Sequence, residues 1–210
     1  MNNKTEEIFK ECGAILKGHF VLNTWEHSDT FLEKEKIYGN SVIFEDLCRA
    51  IASNVSSRPI KIDAVVGSVS KLAQRVAYYL GEIHHKMIVP LFVEKDGTGK
   101  RVFGRDCDQD LAGKDVLVVD DITITGESIR QIIKAVIVLK HGWVVAVAVI
   151  CNRGGAAPSI LYCLPVISLS KIKLQSWYKN ECPLCKAKVP INANIERGRE
   201  FLESHPGYPR

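Results

Sequence analysis

The residues whose chemistry is easiest to read lie between positions 116 and 128, VLVVDDITITGES, where an apolar run ends in two acids and a short turn passes through Thr125 and Gly126 toward Ser128. The run is rich in β-branched residues, the composition of a strand covered on both faces of a parallel sheet. Where such a strand ends the chain must leave the sheet, and open α/β sheets bind ligands in the crevice at those carboxyl ends. The spacing of Ile129, Ile132, Ile133 and Val136 predicts a helix that begins just past Gly126. Its first N–H groups lack intrahelical partners and sit at the positive end of the helix dipole, so a phosphate on the turn would accept several hydrogen bonds. Gly126 permits close backbone approach, and the Thr125 and Ser128 hydroxyls can donate to phosphate oxygens. Asp120 and Asp121, one step earlier, are placed to accept hydrogen bonds from the hydroxyls of a sugar that carries this phosphate. Taken singly, acids merely end strands and hydroxyls merely cap helices. The ordered combination is what points to a sugar phosphate.

The elements that must position this turn can be followed along the rest of the chain. Apolar runs of strand length at 62–66, 87–93, 115–119, 144–150 and 166–169 alternate with segments of helical period, such as Val69, Leu72, Ala73, Val76, Ala77 and Leu80. That alternation predicts βαβ units and an α/β fold with a doubly wound, mostly parallel sheet. His141-Gly142 closes the helix that follows the phosphate turn. The polar, Gly-containing stretch 94–113 reads as a loop. Residues 1–40 and 173–210 fall outside the alternation, so the expected organisation is an N-terminal segment 1–40, a core domain 41–172 and a C-terminal tail 173–210.

Composition narrows the function classes. With 210 residues, 46% of them hydrophobic and 25% charged, the chain can bury one sizeable core. Its longest apolar run, 143–151, falls far short of the roughly 20 residues that a spanning helix needs. The first ten residues are polar and mixed in charge, unlike a secretory signal, so a cytoplasmic location and no membrane partner are expected. A formal charge of +4, with bases and acids interspersed, gives no footprint for nucleic acid. Seven cysteines, of which Cys182 and Cys185 alone are closely spaced, argue against a disulfide framework. Cys182-x-x-Cys185 is half a structural zinc site by spacing, and Cys163 or His205 would have to help complete it. A redox role is not expected, because the pair lies in a Pro-rich tail and not at the start of a helix after a strand, and the expectation is a structural thiol pair. His84-His85 follows a predicted helix end, where histidines cap carbonyls or meet solvent. No Ser/His/Asp nucleophile signature is present, and Gly97-Thr98-Gly99 lacks the third glycine of a dinucleotide site.

At residues 116–128 the sequence resembles the type I phosphoribosyltransferase family, whose motif is an apolar strand, two acids and a Thr-Gly turn into a helix. The resemblance runs from about residue 13 to 201, and it is orotate phosphoribosyltransferases that the rest of the chain resembles. Residues 13–31 look like that family's N-terminal hood over the base, with His27, Ser28 and Phe31 keeping its pattern while Trp25 and Glu26 stand where Gly and Arg are usual. Residues 66–71 resemble its pyrophosphate loop, with Lys71 on the family's lysine and Leu72 in place of a glycine. Residues 94–108 match its mobile lid, which offers Lys95, Lys100, Arg101 and Arg105 to the site of a neighbouring subunit, and Arg153 matches an arginine that contacts orotate.

The resemblance implies a transferase that takes phosphoribosyl pyrophosphate with Mg²⁺ and joins its sugar to a base, orotate before others, in pyrimidine nucleotide synthesis, and that works as a homodimer. It implies catalytic roles for Asp120, Asp121, Lys71, Lys95 and Lys100. Substrate contacts fall to Thr123, Thr125, Gly126, Glu127, Ser128, Phe31, Arg101 and Arg153. Two other readings are a transferase for a different base, suggested by Asn23, Trp25, Glu26 and Ile124, and a non-catalytic binder of phosphoribosyl pyrophosphate or a nucleotide, suggested by the altered loop at Leu72.

Overall fold

A computed structural model describes residues 2–104, 107, 109–154 and 157–209. In chain order the elements are α1 (Asn2–Glu11), β1 (Ile15–Val21), β2 (His27–Leu32), α2 (Lys34–Tyr38), α3 (Ser41–Ser56), β3 (Ala64–Gly67), α4 (Ser70–His84), β4 (Val89–Lys95) and β5 (Arg101–Phe103). There follow β6 (Asp115–Thr123), α5 (Glu127–Lys140), β7 (Trp143–Asn152), β8 (Val166–Lys171), β9 (Ser176–Trp177), α6 (Pro183–Lys186) and α7 (Gly198–Ser204). The chain divides into two compact units, Met1–Glu6 with Asn40–Ile172 and Glu7–Gly39 with Lys173–Arg210.

In the first unit a six-stranded sheet runs in the order β5-β4-β3-β6-β7-β8. β4, β3, β6, β7 and β8 are mutually parallel, and β5 alone is antiparallel. Alternate residues of a strand face opposite sides. Ala64, Val66, Val116, Val118, Val147 and Val149 accordingly share one buried cluster with Ile129, Ile132, Ile133 and Val136 of α5. The intervening Val65, Leu117, Val119 and Ala148 are just as fully buried, which requires a second cover on the other face. α3 and α4 supply it, α4 against β3, β4 and β6, and α3 against β7 and β8. α3 presents Phe44, Leu47, Ile51 and Val55 at helical spacing and is capped by Asn40, whose side chain accepts from the Ile43 N–H at 3.1 Å. Arg75 of α4 donates to Glu45 of α3, and the Tyr79 hydroxyl donates to the same carboxylate oxygen, which ties the two helices.

The connections fix where a ligand can bind. From β3 the chain crosses through α4 to β4 on one side of the sheet, and from β6 it crosses through α5 to β7 on the other. β3 and β6 are neighbours with chain leaving them in opposite directions, so a crevice opens between their carboxyl ends. Gly67 lies beside Val119 there, so close that an added Cβ would meet the Val119 carbonyl at 3.0 Å.

Stretch 94–113 is not the plain loop expected from its polarity. β4 continues to Lys95 and pairs with β5, Lys95 opposite Arg101 and Val93 opposite Phe103. The Asp96 carboxylate closes the turn by accepting from the Thr98 N–H, the Thr98 hydroxyl and the Lys100 N–H, and Gly99 takes the positive φ. Side-chain hydrogen bonding within the turn thus stands in for apolar patterning.

In the second unit β1 and β2 form an antiparallel hairpin, and β9 adds to the free edge of β2. Trp25, at the position where the resembling family has glycine, holds a positive φ of 64° in the connecting turn, and the Arg197 guanidinium lies 4.7 Å from the centre of its ring. Phe31, half-buried on β2, has its ring 5.7 Å from that of Phe20. Glu26 accepts from the Thr24 and Ser176 hydroxyls. Among the described residues no helix is long and apolar enough to cross a membrane.

Candidate functional site

Asp120 and Asp121 follow the apolar run of β6 and are buried with it, 4% and 7% exposed. The Ser68 hydroxyl, on the loop that leaves β3, donates to Asp120 Oδ1 at 2.8 Å, and the Asp121 N–H donates to the same oxygen at 3.2 Å. Asp121 Oδ1 accepts from the Ile122 N–H at 2.6 Å. The acidic pair therefore sits in the β3/β6 crevice. Burial, aided by the charge of Asp121, pushes the Asp120 carboxyl up to about 6.

Beyond Thr123 the chain turns into α5. Gly126 takes φ 80° and ψ 0°, a left-handed conformation that admits glycine without strain, and the helix begins at the next residue. The Thr125 hydroxyl accepts a long hydrogen bond from the Glu127 N–H at 3.4 Å. The Glu127 side chain turns along its own helix to Arg130 and Gln131, which leaves its backbone as the part that faces the turn. Ile124, Thr125 and Glu127 are exposed, Ser128 is half-buried and Thr123 is buried.

Arg101 stands over this helix start. Its Nη2 donates to the Ser128 hydroxyl at 3.1 Å, while its Nε is buried with no hydrogen-bond partner among the described residues. A buried guanidinium N–H without an acceptor is costly, and an anion on the turn would supply one. The β4–β5 hairpin thus brings Arg101 to Ser128 of the same chain, whereas Lys95 and Lys100 are exposed on it. Arg105, the other expected cation of the lid, lies outside the described residues.

Lys71 is exposed in the first turn of α4, at the mouth of the loop that carries Ser68. Leu72, which replaces a family glycine, is fully buried with Ala73 and Val76 on the packed face of α4. Arg153 is held beside the end of β6 by its N–H, which donates to the Thr123 carbonyl at 2.8 Å. Phe31 belongs to the second unit. Ser68 is the residue that the sequence reading missed. Its signal was the position just after the first core strand, next to the acids in a parallel pair, and strand order had to be known to use it.

The arrangement is an anion cradle, made of a helix start, two hydroxyls and an arginine, followed at one remove by two buried carboxylates that accept hydrogen bonds. No family model matches the chain. It is 33% identical over 192 residues to the orotate phosphoribosyltransferase of Caldanaerobacter subterraneus subsp. tengcongensis, an alignment that covers 90% of this chain and 94% of that one. Among solved structures, it superposes on the orotate phosphoribosyltransferase of Aeropyrum pernix with a TM-score of 0.62 at 20% identity, covering 80% of this chain and 95% of the other. The Mycobacterium tuberculosis orotate phosphoribosyltransferase solved in complex with 5-phospho-alpha-D-ribosyl 1-diphosphate matches with a TM-score of 0.53 at 19% identity, covering 82% and 91%. At these identities the two structures speak for the fold.

Proposed function

The chain belongs to the orotate phosphoribosyltransferase family, and on that premise we propose that it transfers the phosphoribosyl group of phosphoribosyl pyrophosphate to orotate, giving orotidine 5-monophosphate and pyrophosphate. The observation that carries this reading is the pairing, around one strand-to-helix turn, of the Arg101–Ser128 cradle with the Asp120–Asp121 pair.

In this reading the 5-phosphate rests on the N–H groups and hydroxyls of residues 125–128 and accepts a further hydrogen bond from Arg101. The ribose hydroxyls donate to Asp120 and Asp121, and Ser68 holds Asp120 in place for them. Two carboxylates in a ligand crevice are hard oxygen donors of the kind that suits Mg²⁺, directly or through its water. Asp120 and Asp121 would hold the ion, and its positive charge would offset that of the substrate and of the departing pyrophosphate. The C1–oxygen bond breaks with its electron pair going to pyrophosphate, and a ring nitrogen of the base donates a pair to C1 from the opposite face. Lys71 is at hand for the departing pyrophosphate, with Lys95 and Lys100 on the hairpin as further cations, and Arg153 serves the base carboxylate. Most of the rate enhancement then comes from placement and charge stabilisation. We further propose that the protein is a homodimer that works in the cytoplasm; a gel-filtration mass near one 23.4 kDa chain would count against the dimer.

The test is pyrophosphate release from phosphoribosyl pyrophosphate and Mg²⁺ with orotate, uracil and purines offered separately, in parent and Asp121→Ala. Turnover with orotate alone, lost in the variant, is expected. Burial of Leu72 where the family keeps a flexible glycine favours a second reading, binding without turnover. That reading requires phosphoribosyl pyrophosphate to raise the melting temperature while every base leaves pyrophosphate unreleased.

A further inference from the structure

We propose that His19, His27, Cys182 and Cys185 form a structural zinc site. Their ligand atoms lie within 4.8 Å of one another, all inside the second unit. The inference stands apart from the transferase reading.

Each half of the site has a local cause. On β1 the register shifts between Lys17 and Phe20, so that one extra residue of β1 faces β2. Such a bulge re-aims side chains. It breaks the alternation of the strand and leaves His19, Phe20 and Val21 all buried. His27 lies opposite Val21, and its Nδ1 comes within 2.8 Å of His19 Nε2. Cys182 is the N-cap of the one-turn helix α6, and Cys185 follows one turn on. Contrary to the expectation from the tail's composition, the pair does mark a helix start, which points both thiols the same way.

The ligand atoms approach the spacing of a tetrahedral N₂S₂ centre. Zn–N bonds of about 2.0–2.1 Å and Zn–S bonds of about 2.3 Å give tetrahedral N···S edges of about 3.6 Å. His19 Nε2 is 3.6 Å from Cys182 Sγ and 3.8 Å from Cys185 Sγ, and His27 Nδ1 is 3.4 Å from Cys185 Sγ. The corresponding N···N edge is about 3.3 Å, so the two imidazoles need to part by about half an ångström. The far side of the His19 ring is already committed: its Nδ1 is 2.8 Å from the Val189 carbonyl, which fixes the tautomer with a lone pair on Nε2. His27 is fully buried, and its Nε2 has no hydrogen-bond partner among the described residues, so Nδ1 alone offsets the burial of this ring.

Two imidazoles and two thiols in a tetrahedron select zinc over the hard cations, and four protein ligands, three of them buried, leave no position for substrate. Beside the apolar cluster around Val21, Ile191, Phe201 and Leu202, a metal would give the unit a staple of the kind small domains use. Zinc would clamp the β1–β2 hairpin to the C-terminal segment, 163 residues away in sequence between His19 and Cys182.

The test uses the full-length protein purified without chelator. About one zinc per chain is expected, with an X-ray absorption spectrum that fits two nitrogens and two sulfurs at the distances above. Cobalt substitution should give the intense visible bands of a tetrahedral ion and a thiolate charge-transfer band. His19→Ala and Cys185→Ser should lose the metal, and Cys163→Ser, an exposed thiol elsewhere, should keep it. The spectra of the parent decide the matter even if those variants fail to fold. Metal-free protein whose melting is indifferent to added zinc, zinc bound without sulfur, or a Cys182–Cys185 disulfide in fresh protein would each overturn the assignment.

Discussion

Replacing Asp120 by asparagine should make the unliganded protein more stable at neutral pH while weakening its hold on the substrate. Asp120 is nearly inaccessible to water, and its carboxyl is raised from the usual 3.8 to about 6, chiefly by burial. A difference of about two pH units corresponds to about 3 kcal/mol between the protonated and ionised forms. The folded protein therefore binds this proton more tightly than the unfolded chain does. The resulting stability is complete below pH 3.8 and is lost as pH rises through about 6. Asparagine keeps an oxygen for the Ser68 hydroxyl and the Asp121 N–H but carries no charge to bury. Urea melts from about pH 4 to about pH 8 should show the parent losing up to about 3 kcal/mol relative to the variant, with the midpoints diverging across that window and parallel above it. Binding of phosphoribosyl pyrophosphate with Mg²⁺, measured calorimetrically at about pH 8, should weaken by at least roughly tenfold, because a charged acceptor has become a neutral one. A variant less stable than the parent at the alkaline end, or two curves with the same slope throughout, would refute the reasoning that Asp120 is a buried charge kept for ligand binding.

Other perturbations separate cradle from scaffold. Gly126→Ala forces an L side chain into φ 80°, so urea melts should show a loss of about 1–2 kcal/mol, and the KM for phosphoribosyl pyrophosphate should rise as well. Arg101→Ala should raise that KM roughly tenfold or more with little change in melting temperature, and Arg101→Lys should recover only part of the loss, because a point cation cannot reproduce the fork that reaches Ser128. Ile132→Ala, at a fully buried position of α5, should cost about 2–5 kcal/mol in urea unfolding, with substrate parameters little changed in the protein that stays folded.

The sheet could be read from the sequence because its strands are apolar on both faces. Val116, Leu117, Val118 and Val119 form a run that no half-exposed segment would show, and its two acids and Gly126 mark where it ends. The helix after Gly126 and its end at His141 follow from period and capping alone. The β4–β5 hairpin was hidden because a three-residue strand carries too little pattern, and because its turn is closed by one side chain, Asp96. The partners of Cys182 and Cys185 were hidden for a different reason. His19 and His27 are eight positions apart on paired strands, and only the bulge on β1 turns both inward, so Cys163 and His205 looked as eligible. Cys163 is instead exposed in the first unit, and His205 stacks on Phe201 with ring centres 4.2 Å apart.

Soaking crystals of the protein with phosphoribosyl pyrophosphate and Mg²⁺ probes the crevice between β3 and β6 without relying on turnover. The expected map has the 5-phosphate on the turn at residues 124–128, within reach of Arg101, and the ribose hydroxyls against Asp120 and Asp121. Phosphate density at any other place, with Asp120 still bonded only to Ser68 and its own backbone neighbour, would contradict it.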